Sequence, residues 1–107
     1  MALITADQNE LLMNGAEQDL FVKQIGLKQF ETHIFFDELA AGDEIQIRVY
    51  LDDPFDNAER RYITVPIEGL QANPAHVVNW LTSSTYRISL QQITGTFRTI
   101  SWVRYEV

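Results

Sequence analysis

Glu44-Ile45-Gln46-Ile47-Arg48-Val49-Tyr50-Leu51-Asp52 alternates apolar with polar or amphipathic side chains over nine positions. Successive side chains of an extended chain point to opposite faces, so Ile45, Ile47, Val49 and Leu51 share one face and Gln46, Arg48 and Tyr50 the other. The stretch is a β-strand with one face in a core. Just upstream, Phe30, Thr32, Ile34 and Phe36 alternate with Glu31, His33 and Phe35, and Ala40-Ala41-Gly42-Asp43 joins the two runs. Together they read as an antiparallel hairpin. Downstream, the turn-forming run Asp53-Pro54-Phe55-Asp56-Asn57-Ala58 leads into a strand over residues 62–67, with Ile63, Val65 and Ile67 on one face. Pro66 has no N–H to give to a ladder, which places that strand at a sheet edge or at a bulge.

Further out the same period recurs. Leu11-Leu12-Met13 and Leu20-Phe21-Val22 flank Asn14-Gly15, a dipeptide suited to positive φ, and suggest a short hairpin. Residues 76–81 fit either a strand or one helical turn by pattern, with strand the preferred reading. Ser83-Ser84-Thr85 turns the chain into Tyr86, Ile88 and Leu90, which alternate with Arg87, Ser89 and Gln91. Thr94-Gly95-Thr96 turns it again into a long final strand with Ile100 and Trp102 set against Thr99, Ser101 and Val103, predicting a second hairpin. About seven or eight short strands at this spacing, with no amphipathic helix of ordinary length, give an all-β fold: an antiparallel β-sandwich or jelly-roll-like domain. At 107 residues the expectation is a single domain over residues 1–107.

Charge narrows the partners. Eight Lys and Arg against 15 Asp and Glu leave −7, which opposes binding to nucleic acid or to an anionic membrane surface. With no cysteine there is no disulfide, thiolate nucleophile or Cys-ligated zinc. The opening Met1-Ala2-Leu3-Ile4 meets Thr5 and Asp7 long before it could form a secretory or membrane-spanning segment, so a soluble, unprocessed chain is expected. The charge is also uneven: 14 acidic and 5 basic side chains precede residue 69, whereas Glu106 faces Arg87, Arg98 and Arg104 after it. That asymmetry suits either head-to-tail subunit contacts or neutralisation within one subunit.

No residue set carries recognisable catalysis. His33 and His76 lack triad or metal-pair spacing and read as strand or surface histidines. The acidic run over residues 52–59 has oxygens enough for Ca²⁺, but it lacks the glycine and the order of a dedicated calcium loop, and Arg60-Arg61 supplies countercharge. It reads as a self-compensated surface loop. Asp37-Glu38 and Asp43-Glu44 could in principle face each other as glycosidase carboxylates, but a domain this small has little material for a deep cleft. Gly-rich phosphate loops, GxSxG and HExxH are absent. No catalytic residue, cofactor or metal ligand is therefore expected. Phe30, Phe36 and Trp102 are expected to fill the core, whereas Phe35, off the apolar register, and Phe55, in a polar loop, are candidate contact residues.

Three stretches, residues 2–9, 41–50 and 95–106, resemble small β-sandwich virion proteins of tailed phages, most of all the capsid decoration, or cement, proteins. The resemblance lies in length, strand rhythm and turns. It implies a non-enzymatic clamp on the capsid surface of the virion, a homotrimer that bridges subunits of the major capsid protein. On this reading the partner-binding residues are Leu3, Ile4, Phe35, Phe55, Arg60 and Arg61, and an arm or edge strand could add to a partner's sheet. A tail or fibre accessory protein, or a carbohydrate-binding module using Trp80 or exposed tyrosines, is the alternative.

Overall fold

The computed structural model describes residues 4–21, 28–52, 55, 58–82 and 86–106. Eight strands follow one another: β1 (Ile4–Leu12), β2 (Gln18–Asp19), β3 (Lys28–Phe35), β4 (Glu44–Asp52), β5 (Glu59–Glu68), β6 (Ala75–Thr82), β7 (Tyr86–Thr94) and β8 (Thr99–Glu106). Among the described residues there is no helix, hence none long and apolar enough to cross a membrane. One four-stranded sheet has the order β1-β8-β3-β6 and the other β2-β7-β4-β5.

The pairing has a simple logic. β1 pairs with β8, β2 with β7, β3 with β6 and β4 with β5, all antiparallel. The chain is thus one long hairpin folded at the β4–β5 connection and then rolled, so that β3 also meets β8 and β4 also meets β7. This is the jelly-roll form of the antiparallel β-sandwich. The strand-by-strand alternation places the β1–β2, β3–β4, β5–β6 and β7–β8 connections at one end, here the latch end. The β2–β3, β4–β5 and β6–β7 connections lie at the other, the tip end.

Three expected hairpins are corrected by this topology. Residues 30–36 and 44–52 lie in opposite sheets, as do the strands either side of Asn14-Gly15 and of Thr94-Gly95-Thr96. The β3–β4 connection shows why: Phe36 and Leu39 are both buried within it, closing the end of the core, where a solvated hairpin loop would leave them in water. Crossing also sets the apolar face of β3 against that of β4, so each strand covers the other. The positive φ expected at Gly15 is present, +84°, but the turn leads to the opposite sheet. The turn at residues 83–85 lies outside the described residues.

The core is made by the expected alternation. Ile45, Ile47, Val49, Tyr86, Ile88 and Leu90 from the second sheet face Phe30, Ile34, Ile100 and Trp102 from the first. Each fully buried side chain of this size contributes roughly 1.5–3 kcal/mol of hydrophobic free energy. Among the described residues β5 pairs only with β4, so Pro66 lies on an edge strand as its missing N–H requires. Between Val49 and Tyr50 the pairing with β5 shifts by one residue, from Ile63 to Arg61, while Tyr50 keeps its place in the alternation on the outer face.

Candidate binding surface

The residues expected to bind a partner divide between the two ends. Phe55, on the β4–β5 connection at the tip end, is 97% exposed. Arg60 and Arg61, near the start of β5, are exposed at the same end, with the Arg61 guanidinium 5.7 Å from the Tyr50 ring centroid. Ile4 begins β1 opposite Glu106, at the same end but on the opposite flank of the sandwich. Leu3 lies outside the described residues. Phe35 is separate from these: it ends β3, nearer the latch end, and is half-buried on the outer face of the first sheet.

The carboxylate pairs do not form a catalytic cleft. Asp37 and Glu38 are exposed, whereas Asp43 is only 3% exposed and its oxygens are occupied. Asp43 Oδ2 accepts from the Ala40 N–H (2.9 Å) and Arg98 Nε (2.7 Å), and Oδ1 accepts from the Thr96 N–H (3.0 Å). Its backbone carbonyl accepts from the Gly69 N–H at 2.8 Å. The Asp43 carboxylate thereby ties the β3–β4 connection to the β7–β8 connection, and its backbone carbonyl adds the β5–β6 connection. The Ala40 N–H is the leading influence holding this carboxyl below its ordinary range; burial opposes it, and Arg98 and Thr96 reinforce it. Sequence reading missed this role, although a Gly-Asp turn ahead of a strand and an arginine after a Thr-Gly-Thr turn were both visible.

Each late arginine has an acid of its own subunit, so the charge asymmetry is neutralised within the chain. Arg98 meets Asp43, and Arg104 binds Asp7 through two bonds of 2.8 and 3.0 Å while lying 4.0 Å from the Phe21 ring centroid and 4.4 Å from that of Phe30. Arg87 donates to both oxygens of Glu59 (2.9 and 2.8 Å) and to Asp19 (2.7 Å). The arginines thus brace the sandwich, in line with the second of the two expectations, pairing within one subunit.

Arg87 belongs to a network over the outer face of the second sheet. Its guanidinium lies 3.9 Å from the Tyr50 ring centroid, while the Tyr50 hydroxyl donates to Glu17 at 2.5 Å. Arg48 donates to Glu17 (2.8 Å), Gln91 (2.6 Å) and Gln46 (2.7 Å). Burial alone would raise the Glu17 carboxyl, but the hydrogen bonds from Arg48 and Tyr50 outweigh it and hold the group below its usual range. Hydrogen bonding to Glu59 likewise raises Arg87 despite some burial.

The outer face of the first sheet is built differently. Register puts Gln8, Val103, His33 and Val77 in one row across β1, β8, β3 and β6, with Glu10, Ser101, Phe35 and Ala75 in a parallel row. His33 stands edge-on to Tyr105, centroids 5.0 Å apart, and 6.5 Å from Phe35. Its Nε2 is 2.6 Å from Glu31 Oε1, which fixes the ring. An aromatic stripe therefore runs diagonally over the sheet. Beside it lies an open groove of about 640 Å3 whose lining includes Gln8, Glu10, Phe35, Ser101, Val103 and Tyr105. His76 is elsewhere, edge-on to Phe36 at 5.4 Å, and the two histidines form no pair.

Among the described residues no three His, Asp or Glu side chains gather to hold a metal. Asp53 and Asp56 of the acidic loop lie outside the described residues. Trp80 is placed by its backbone, opposite Phe30.

No family model and no curated protein matches this chain. Among solved structures it is similar to chains in the structures of infectious bursal disease virus Gt strain and Gx strain, at 15% and 18% identity, each with a TM-score of 0.44. The matches cover 98% of this chain and 31% and 30% of those chains, so it spans about a third of their length. The likeness is one of fold, and no role passes from those chains to this one.

Proposed function

We propose that the chain is a non-enzymatic structural protein of a tailed-phage virion that binds the outside of the capsid and stabilises it by bridging capsid subunits as a homotrimer. The observation that carries this reading is the tip end, where Phe55 is 97% exposed and Arg60 and Arg61 are exposed near the start of the next strand. An aromatic anchor bordered by guanidinium groups is the composition enriched at the centres of protein interfaces, where a few such residues dominate the binding energy. β1 adds a second means of attachment. Among the described residues it pairs only with β8, which leaves its other edge for strand addition by a partner. Three weak tip contacts held in one trimer gain avidity beyond any single contact.

Co-sedimentation with undecorated tailed-phage heads tests the reading. Wild-type protein should pellet with the heads and raise their resistance to heat, and Phe55→Ser should lose both effects while remaining folded. No binding to heads, together with a monomeric mass in solution, overturns it.

A further inference from the structure

We propose that the groove on the outer face of the first sheet is a binding site for an uncharged oligosaccharide. The site lies away from the tip-end residues assigned to the capsid, so this inference does not rest on the capsid reading.

The argument begins with what the groove contains. Phe35 and Tyr105 are half-buried on the sheet surface, with His33 between them and pinned by Glu31. Rings held in this way present fixed apolar faces, and the C–H face of a pyranose is the polar ligand surface that packs on such rings without losing its hydroxyl hydrogen bonds. Alongside stand the Gln8 amide, the Glu10 carboxylate and the Ser101 and Tyr105 hydroxyls, which make no side-chain hydrogen bond among the described residues. An amide supplies both donors and an acceptor, and a carboxylate accepts from two neighbouring hydroxyls at once. Apolar rings flanked by available amide, carboxylate and hydroxyl groups match a sugar's alternation of C–H faces with rim hydroxyls.

Shape and charge narrow the ligand. At about 640 Å3 the groove has room for more than one sugar ring, and being open along the sheet it suits a chain lying across it more than a small molecule enclosed by it. Glu10 at its edge, Glu31 beside the stripe and a net charge of −7 all repel uronic or sialic acids. The ligand class is therefore a neutral pyranose chain. The outer face of the second sheet offers no equivalent, because its carboxylates and arginines are bound to one another.

Titration of the ¹⁵N-labelled full chain with a panel of neutral hexose and N-acetylhexosamine oligomers tests the site. Saturable amide shifts should cluster on β1, β3 and β8, with none on β5. Phe35→Ala and Tyr105→Ala should each weaken binding at least about tenfold, as expected for central anchors, and Glu10→Gln about threefold. Thr64→Ala, on the opposite outer face, should leave affinity unchanged. The wild-type shift map stands even if an aromatic variant fails to fold. No saturable binding across the panel, shifts outside the groove, tighter binding of acidic oligomers, or perturbation of the groove by a protein partner alone overturns the proposal.

Discussion

The two outer faces of the sandwich carry similar kinds of polar side chain and use them in opposite ways. Over the second sheet, Glu17, Asp19, Arg48, Glu59 and Arg87 are bound to one another with Tyr50 at the centre, so that, Arg48 Nε apart, the charged groups of the layer find their partners within the chain. Over the first sheet, Gln8, Glu10 and Ser101 surround an aromatic stripe and leave their polar atoms available. Buried or half-buried polar groups stabilise a fold only when their partners are present, so the closed face belongs to folding and the open face is free for recognition. The latch end takes the closed arrangement furthest, with a single buried residue, Asp43, joining three connections through its carboxylate and its backbone carbonyl. Substitution should therefore destabilise the closed regions and leave the open one almost untouched.

The largest effect is expected at Gly95. Its φ is +93°, and an added Cβ would fall 2.0 Å from Asp43 Oδ1 and 2.7 Å from the Asp43 Cα. The backbone contact cannot be relieved by a rotamer change, so Gly95→Ala must displace the latch. A loss on the order of 3 kcal/mol in chemical denaturation is expected. Next comes Arg48→Met, which keeps the stem and removes the guanidinium that binds Glu17, Gln46 and Gln91. A loss of about 2 kcal/mol is expected for hydrogen bonds to charged groups of this exposure. The double variant with Glu17→Gln should lose less than the two single losses together, because both remove the same pair.

Acid should act on the closed regions through Asp43 and Glu17, and more gently. Asp43 and Glu17 both have folded-state pKa values below their ordinary 3.8 and 4.5. Near and below those ordinary values the unfolded chain binds more protons than the folded one, so stability rises with pH there. Their contribution is complete above the ordinary values and is lost as pH falls through the depressed ones. Denaturation midpoints should therefore drop between about pH 5 and pH 3, and Asp43→Asn or Glu17→Gln should flatten the slope.

How much of this was legible depends on how far apart the interacting residues are. Burial on one face of each strand was readable because alternation is local: Ile45, Ile47 and Val49, or Ile88 and Leu90, declare their face within a few positions. The same rule extended by two residues carries Arg104 inward behind Ile100 and Trp102, where Asp7 and two phenylalanine rings receive it. Turn residues were also readable, but Thr94-Gly95-Thr96 specifies only that the chain reverses. Whether it returns in the same sheet or the opposite one is decided by pairing such as β1 with β8, nearly a whole chain length apart. The Phe35 stripe needed the same information, since its partner Tyr105 comes from β8.

The smallest expected effect is the one that separates the two faces most sharply. Gln8→Ala and Glu10→Ala remove side chains that hold nothing in place among the described residues, on an edge strand that is already exposed. Each should shift stability by no more than about 0.5 kcal/mol, the range for surface positions without a structural role. A cost near that of Arg48→Met, measured under the same conditions, would mean that the first sheet's outer face is a closed network as well, and the distinction between the faces would fail. An unchanged midpoint would instead show that selection for folding alone does not account for an amide and a carboxylate two residues apart beside an aromatic stripe.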